Sequence, residues 1–170
     1  MGSARTRRAG RRLGACVAAV VAAAVFPTVT ASPAAAQDSF KIKALGRCVE
    51  VKDGSRQDGA PIQLYRCLDW DSQRFTFEDV GNGTVRIKTF AGKCLEVQDG
   101  SLLDGVPIVQ GPCHDWRVDQ EFAIVDLGNG EVSIENAGTL LWWTVGGRGI
   151  PAPIVQDPLD FHPGRFTLEY

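Results

Sequence analysis

The chain has 170 residues, 22% of them charged and 44% hydrophobic, with 19 Gly and 9 Pro. This is the composition of a folded globular protein and excludes a collagenous or disordered one. Five of the 18 Lys and Arg, all of them Arg, fall in the first 36 residues, which hold no Asp or Glu, so residues 37–170 carry 13 cations against 20 acids and a formal charge of −7. That balance argues against nucleic acid and anionic lipid as partners, because both need clustered positive charge.

The Arg-rich start leads into an apolar run of 14 residues, Leu13 to Phe26, ended by Pro27. A bilayer span needs about 20 residues, so the run is too short to cross. With Ala34-Ala35-Ala36 as an A-x-A cleavage site, residues 1–36 read as a signal peptide, cleavage after Ala31 being the alternative. Cys16 precedes most of the apolar run, and Arg7-Arg8 lacks apolar residues just after it, so neither a lipoprotein box nor a twin-arginine signal is adopted. The expected product, residues 37–170, is secreted, without a membrane anchor, into a compartment that permits disulfides.

Beyond the leader the chain repeats itself. Gly46-Arg47-Cys48-Val49-Glu50-Val51 matches Gly92-Lys93-Cys94-Leu95-Glu96-Val97 at an offset of 46, and the same offset leads to Gly138-Thr139-Leu140-Leu141-Trp142-Trp143. Pro61-Ile62, Pro107-Ile108 and Pro153-Ile154 obey it too. Near each repeat end stand Gln73-Arg74-Phe75, Gln120-Glu121-Phe122 and Gly164-Arg165-Phe166. Three repeats, approximately 40–84, 85–131 and 132–170, therefore fill the chain after the leader.

Each repeat reads as β-structure. Phe40-Lys41-Ile42, Val85-Arg86-Ile87 and Val132-Ser133-Ile134 alternate inward and outward residues, and Asn82-Gly83 and Asn129-Gly130 supply the positive φ angles of tight hairpins. Asn82-Gly83-Thr84 is also a glycosylation sequon, for which the turn is a sufficient explanation. Three units are too few for a propeller, and no helical stripe suits a solenoid, which leaves an all-β closed threefold arrangement.

Cys48 and Cys67 are 19 positions apart, as are Cys94 and Cys113, and the constant offset places Leu140 and Leu159 in the third repeat. Joint loss of both cysteines suits positions that touch, since two leucines fill such a space. This favours Cys48–Cys67 and Cys94–Cys113 among three connectivities. Structural zinc is disfavoured by the long spacing and by an oxidising destination, and no metal is expected.

The strings Cys48-Val49-Glu50-Val51, Pro61-Ile62-Gln63-Leu64-Tyr65-Arg66-Cys67 and Gln73-Arg74-Phe75 resemble the C-L-D-V, Q-L-W-x-C and Q-x-W signature of ricin-B-type lectins and family 13 carbohydrate-binding modules. The resemblance covers residues 40–170 and implies a β-trefoil. It further implies a sugar site in the first repeat, with Glu50 as acceptor carboxylate, Gln63 as an amide, Tyr65 as stacking platform, and Ser72-Gln73 where Asn-Gln is usual. Those are the groups a sugar asks for, hydrogen-bonding partners for its hydroxyls and a ring for its C–H face. The plainer reading makes Glu50 an exposed strand carboxylate and Gln73 an amide that closes a turn.

The second repeat keeps Glu96, Asp119 and Gln120 as weaker candidates but has Gly111 at the platform and Val109 at the amide. In the third, the offset puts Trp142 at the acceptor position and Asp157 and Gly164 at the platform and amide, so no family-type site is expected. Trp70 and Trp116, also 46 apart, read as a repeated packing element, and Trp143 as core. His114 and His162 stand in no nucleophile-base or metal spacing, and no catalytic motif or cofactor loop occurs. The sequence thus describes a secreted, non-catalytic binder of carbohydrate, of galactose or xylose type, without cofactor. The competing reading is a β-trefoil that binds a protein partner, for example as a hydrolase inhibitor.

Overall fold

A computed structural model describes residues 38–158 and 164–170. The expected signal peptide with Cys16, and Leu159 and His162, lie outside the described residues. The first repeat holds β1 (Lys41–Ala44), β2 (Arg47–Val51), β3 (Ile62–Tyr65) and β4 (Phe75–Gly81). The second holds β5 (Thr84–Thr89), β6 (Cys94–Val97), β7 (Ile108–Gly111) and β8 (Phe122–Gly128). The third holds β9 (Glu131–Asn136), β10 (Trp142–Val145), β11 (Ala152–Asp157) and β12 (Phe166–Glu169).

The outer strands of each repeat close a barrel through antiparallel pairs β1–β12, β12–β9, β9–β8, β8–β5 and β5–β4. Phe40 and Phe75 complete the ring by exchanging two backbone hydrogen bonds of 2.9 Å. The inner strands form hairpins β2–β3, β6–β7 and β10–β11. These join one another in a second ring at Pro61↔Val109, Pro107↔Val155 and Pro153↔Gln63. A barrel of six strands with three linked hairpins is the expected β-trefoil. Its Asn-Gly turns form as predicted, with Asn82 and Asn129 at φ 56° and 55°.

Glutamines fasten neighbouring repeats. Gln110 of β7 donates to the carbonyls of Ser55 and Gln57 in the first repeat, both at 2.9 Å. Gln156 of β11 likewise donates to Ser101 and Leu103 of the second, both at 2.8 Å. The equivalent residue of β3 is Leu64, which is buried in the core.

The core is threefold in plan: Phe75, Phe122 and Phe166 come from the repeat ends, Ile42, Ile87 and Ile134 from the first strands, and Ile62, Ile108 and Ile154 from the hairpins. Trp143 joins them as expected, fully buried, its ring edge-on to Phe122 and Phe166 at 5.3 and 6.1 Å.

Hairpin register corrects the constant offset in the third repeat. Val51 faces Ile62 and Val97 faces Ile108, but it is Val145, not Trp143, that faces Ile154. β10 has slipped by two residues, so Trp143 takes the place of Val49 and Leu95, and Trp142, opposite Asp157, that of Cys48 and Cys94. Leu140 therefore does not replace a half-cystine. It is 68% exposed, in a turn at φ 58°.

Gly164 packs closely between the backbone of Trp143 and the ring of Phe166. Its N–H donates to the Trp143 carbonyl at 3.0 Å, and a Cβ there would meet that oxygen and lie 2.7 Å from Phe166 Cε2. Gly164→Ala is expected to lower stability by about 1–3 kcal/mol through overpacking, read as an earlier urea midpoint at unchanged slope.

Candidate carbohydrate site

Alternation along the β2–β3 hairpin sends Val49, Val51, Ile62 and Leu64 into the core and leaves Cys48, Glu50, Gln63 and Tyr65 on the opposite face. Glu50 lies opposite Gln63, and Tyr65 opposite Cys48, which makes Tyr65 the diagonal neighbour of Glu50 on that face. Four of the five first-repeat residues singled out above are buried, and Tyr65 is half-buried.

Glu50 is 3% exposed, so it is not the exposed strand carboxylate of the plainer reading. Gln63 Nε2 donates to its Oε1 and Gln73 Nε2 to its Oε2, each at 2.9 Å. A carboxylate offers about four lone-pair positions, so two amides fix its orientation and leave acceptor capacity. Gln73 has its own places filled: Nε2 also donates to the Arg66 carbonyl at 2.7 Å, and Oε1 accepts from Leu68 N–H at 2.7 Å. It closes the turn, as the plainer reading had it, and in the same act aims Glu50.

Ser72 precedes Gln73 in a single 3-10 turn, Asp71–Gln73. Among the described residues its hydroxyl makes no side-chain hydrogen bond. With Asp53, Gly54, Trp70 and Phe90 it lines a groove of about 450 Å³. Tyr65 carries the Arg66 guanidinium over its ring at 5.5 Å from the centroid.

The second repeat repeats this frame and closes it. Gln120 Nε2 donates to Glu96 Oε2 at 2.6 Å and to the Pro112 carbonyl at 2.7 Å, and its Oε1 accepts from His114 N–H at 2.8 Å. Arg117 then reaches Glu96 Oε2 at 3.1 Å and grips Asp119 through Nε and Nη2 at 3.0 and 2.6 Å. The hydrogen bond to Asp119 holds Arg117 above its ordinary pKa. A Cβ on Gly111 would lie 2.7 Å from Glu96 Oε1, so the carboxylate occupies the space a platform would need. Glu96, Asp119 and Gln120 are thus brought together, with Arg117 standing in for an outside ligand.

In the third repeat the slip puts Thr144, not Trp142, at the acceptor position, facing Val155. It has no carboxylate there.

Trp70 and Trp116 are not equivalent. Trp70 immediately precedes the turn Asp71–Gln73, whereas Arg117 immediately precedes the matching turn Val118–Gln120. Nor does either tryptophan belong to the core, the two being 54% and 76% exposed, with Trp116 only meeting the His114 ring at 5.2 Å. The sequence carried the signal: Gln73 and Gln120 are 47 apart, one more than the repeat offset. Among the described residues no group of His, Cys, Asp and Glu is arranged to hold a metal ion.

Barrel and linked hairpins define a β-trefoil, and one outer hairpin face carries an amide-held carboxylate. The family described as ricin-type beta-trefoil lectin domain matches residues 38–144, ending inside β10, where the third repeat departs from the others. This chain belongs to that family. Among solved structures it is similar to ThreeFoil, a designed threefold symmetric protein, with TM-score 0.74 and 23% identity over 78% of this chain and 98% of that one. It is also similar to an exo-beta-1,3-galactanase from Clostridium thermocellum, TM-score 0.72 and 23% identity, covering 77% of this chain and 30% of the other. A third is a non-toxic homologue of type II RIPs from Momordica charantia (bitter gourd) in complex with alpha-methyl-D-galactoside, TM-score 0.63 and 22% identity, covering 78% and 48%. At these identities the likeness is one of fold.

Proposed function

We propose that this chain is a secreted, non-catalytic carbohydrate-binding module whose first repeat takes one unit of a galactose- or xylose-type glycan. One observation carries the reading: the Glu50 carboxylate is held by two amides on the face that also bears Tyr65, next to a turn whose Ser72 hydroxyl has no side-chain hydrogen bond among the described residues. In this reading Glu50 accepts hydrogen bonds from sugar hydroxyls, Gln63 and Ser72 fix orientation, Tyr65 stacks on the C–H face, and Gln73 positions Glu50. The second repeat is a weaker candidate because Arg117 already occupies its carboxylates. The net charge of −7 over residues 37–170, from 13 cations against 20 acids, suits a neutral ligand. Two disulfides, Cys48–Cys67 and Cys94–Cys113, suit an oxidising destination.

Tyr65→Ala tests the site. The wild type is expected to be retained on immobilised galactan or xylan, and the variant to bind about tenfold more weakly or not at all, at unchanged melting temperature. Wild type retained on no glycan of a broad array would overturn this function and favour the β-trefoil that binds a protein partner. Binding indifferent to Tyr65→Ala would move the sugar away from the first repeat.

A further inference from the structure

The groove beside Ser72 contains an aromatic side chain that the site above does not use. Trp70 is 54% exposed, and its indole has neither a hydrogen bond nor a ring partner among the described residues. A half-exposed indole contributes little to a core, and the same position in the second repeat holds an arginine bonded to its own carboxylates. The fold therefore does not demand tryptophan here. The groove is also two-sided in chemistry, with apolar walls from Trp70 and Phe90 and polar groups from Asp53 and Ser72. Arg56 lies over one face of Phe90 at 4.7 Å from the ring centroid, which leaves Trp70 as the aromatic face without a partner.

We propose that Trp70 is the platform of a second saccharide subsite, so that the first repeat reads at least two consecutive sugar units and not a single terminal one. The inference rests on the proposed sugar site at Glu50 and Tyr65. Ser72 joins the two places, since it lines the groove and is followed directly by Gln73, which holds Glu50. About 450 Å³ is within the range of small-ligand sites and leaves space for a further ring. An aromatic face for C–H groups, with a carboxylate and a hydroxyl at its edge, matches a neutral pyranose, and Asp53 disfavours an acidic one. The ligand class is a neutral oligosaccharide or polysaccharide chain.

Titration of the full chain with galactose and galactotetraose, and with xylose and xylotetraose, tests this. The wild type is expected to bind the tetrasaccharide of its preferred series about tenfold more tightly than the monosaccharide, roughly the gain from one added stacking platform. In Trp70→Ala that ratio is expected to fall towards one, and in Trp70→Phe to recover in part, whereas Glu50→Gln should weaken both ligands together. A wild-type ratio near one, or a ratio unchanged in Trp70→Ala, overturns the second subsite while leaving the first standing. If none of the four saccharides binds, the function proposed above fails, and this inference with it.

Discussion

Gln73→Leu is expected to unfold the protein at markedly lower denaturant, with a loss of about 3–5 kcal/mol, and to abolish saccharide binding. Leucine approximates the volume of glutamine, so packing is not what changes. The substitution removes three hydrogen bonds at once: those to Glu50 Oε2 and the Arg66 carbonyl, and the one accepted from Leu68 N–H. Glu50, a residue only 3% exposed, would then have Gln63 as its one remaining side-chain donor among the described residues. Removing one partner of a buried charge costs far more than the bond is worth in water, because the remaining group keeps its desolvation penalty. The second repeat supplies a control in the same chain. Gln120→Leu removes the corresponding bonds, but Glu96 keeps Arg117 at 3.1 Å and should remain compensated. Urea unfolding of the two variants decides it: equal losses would show that the amides serve only to close turns, and a larger loss for Gln73→Leu would show that holding the carboxylate dominates.

The second large effect concerns the cystine of the same repeat. Cys48→Ala combined with Cys67→Ala opens a loop of 19 positions and should cost about 3 kcal/mol by the chain-entropy account. The loop contains β3 and all of the segment between the two strands of the hairpin, so its release also frees the chain leading to the turn at Asp71–Gln73. Glycan retention should weaken along with thermal stability. Thermal melts of the double variant, beside the equivalent Cys94 and Cys113 variant, check both points. Two similar drops in melting temperature, with glycan retention lost only in the first, are expected. Unchanged melting in either would mean that hydrophobic packing alone holds that hairpin.

Much of this was legible in the sequence because it is written three times. Strand alternation, the Asn-Gly turns, the two cystines and the Q-x-F core residues depend on neighbours in the chain or on the repeat itself. What escaped was relational. The partners that bury Glu50 sit 13 and 23 residues away, and nothing local distinguishes a carboxylate gripped by two amides from one waving in solvent. In the third repeat, two extra residues before β10 are cancelled by two fewer between β10 and β11, so Ile62, Ile108 and Ile154 keep their spacing while the intervening strand shifts. A constant offset conceals such a slip, and only strand pairing reveals that Thr144, not Trp142, takes the acceptor position opposite Val155. The exposed Trp70 was misread for a similar reason, through an accidental match to Trp116.

The glutamine fasteners carry one more implication. Gln110 and Gln156 each catch two carbonyls from a loop between hairpin strands, and Leu64, the third of the set, catches none. The loop Leu64 would have served runs from Val145 to Ile154, the one that is two residues short. Clasp and full-length loop are thus absent from the same seam, and of the three seams of this pseudo-symmetric molecule the one between its last and first repeats is joined instead by a short strand ladder, Ala152 opposite Leu64 and Pro153 opposite Gln63.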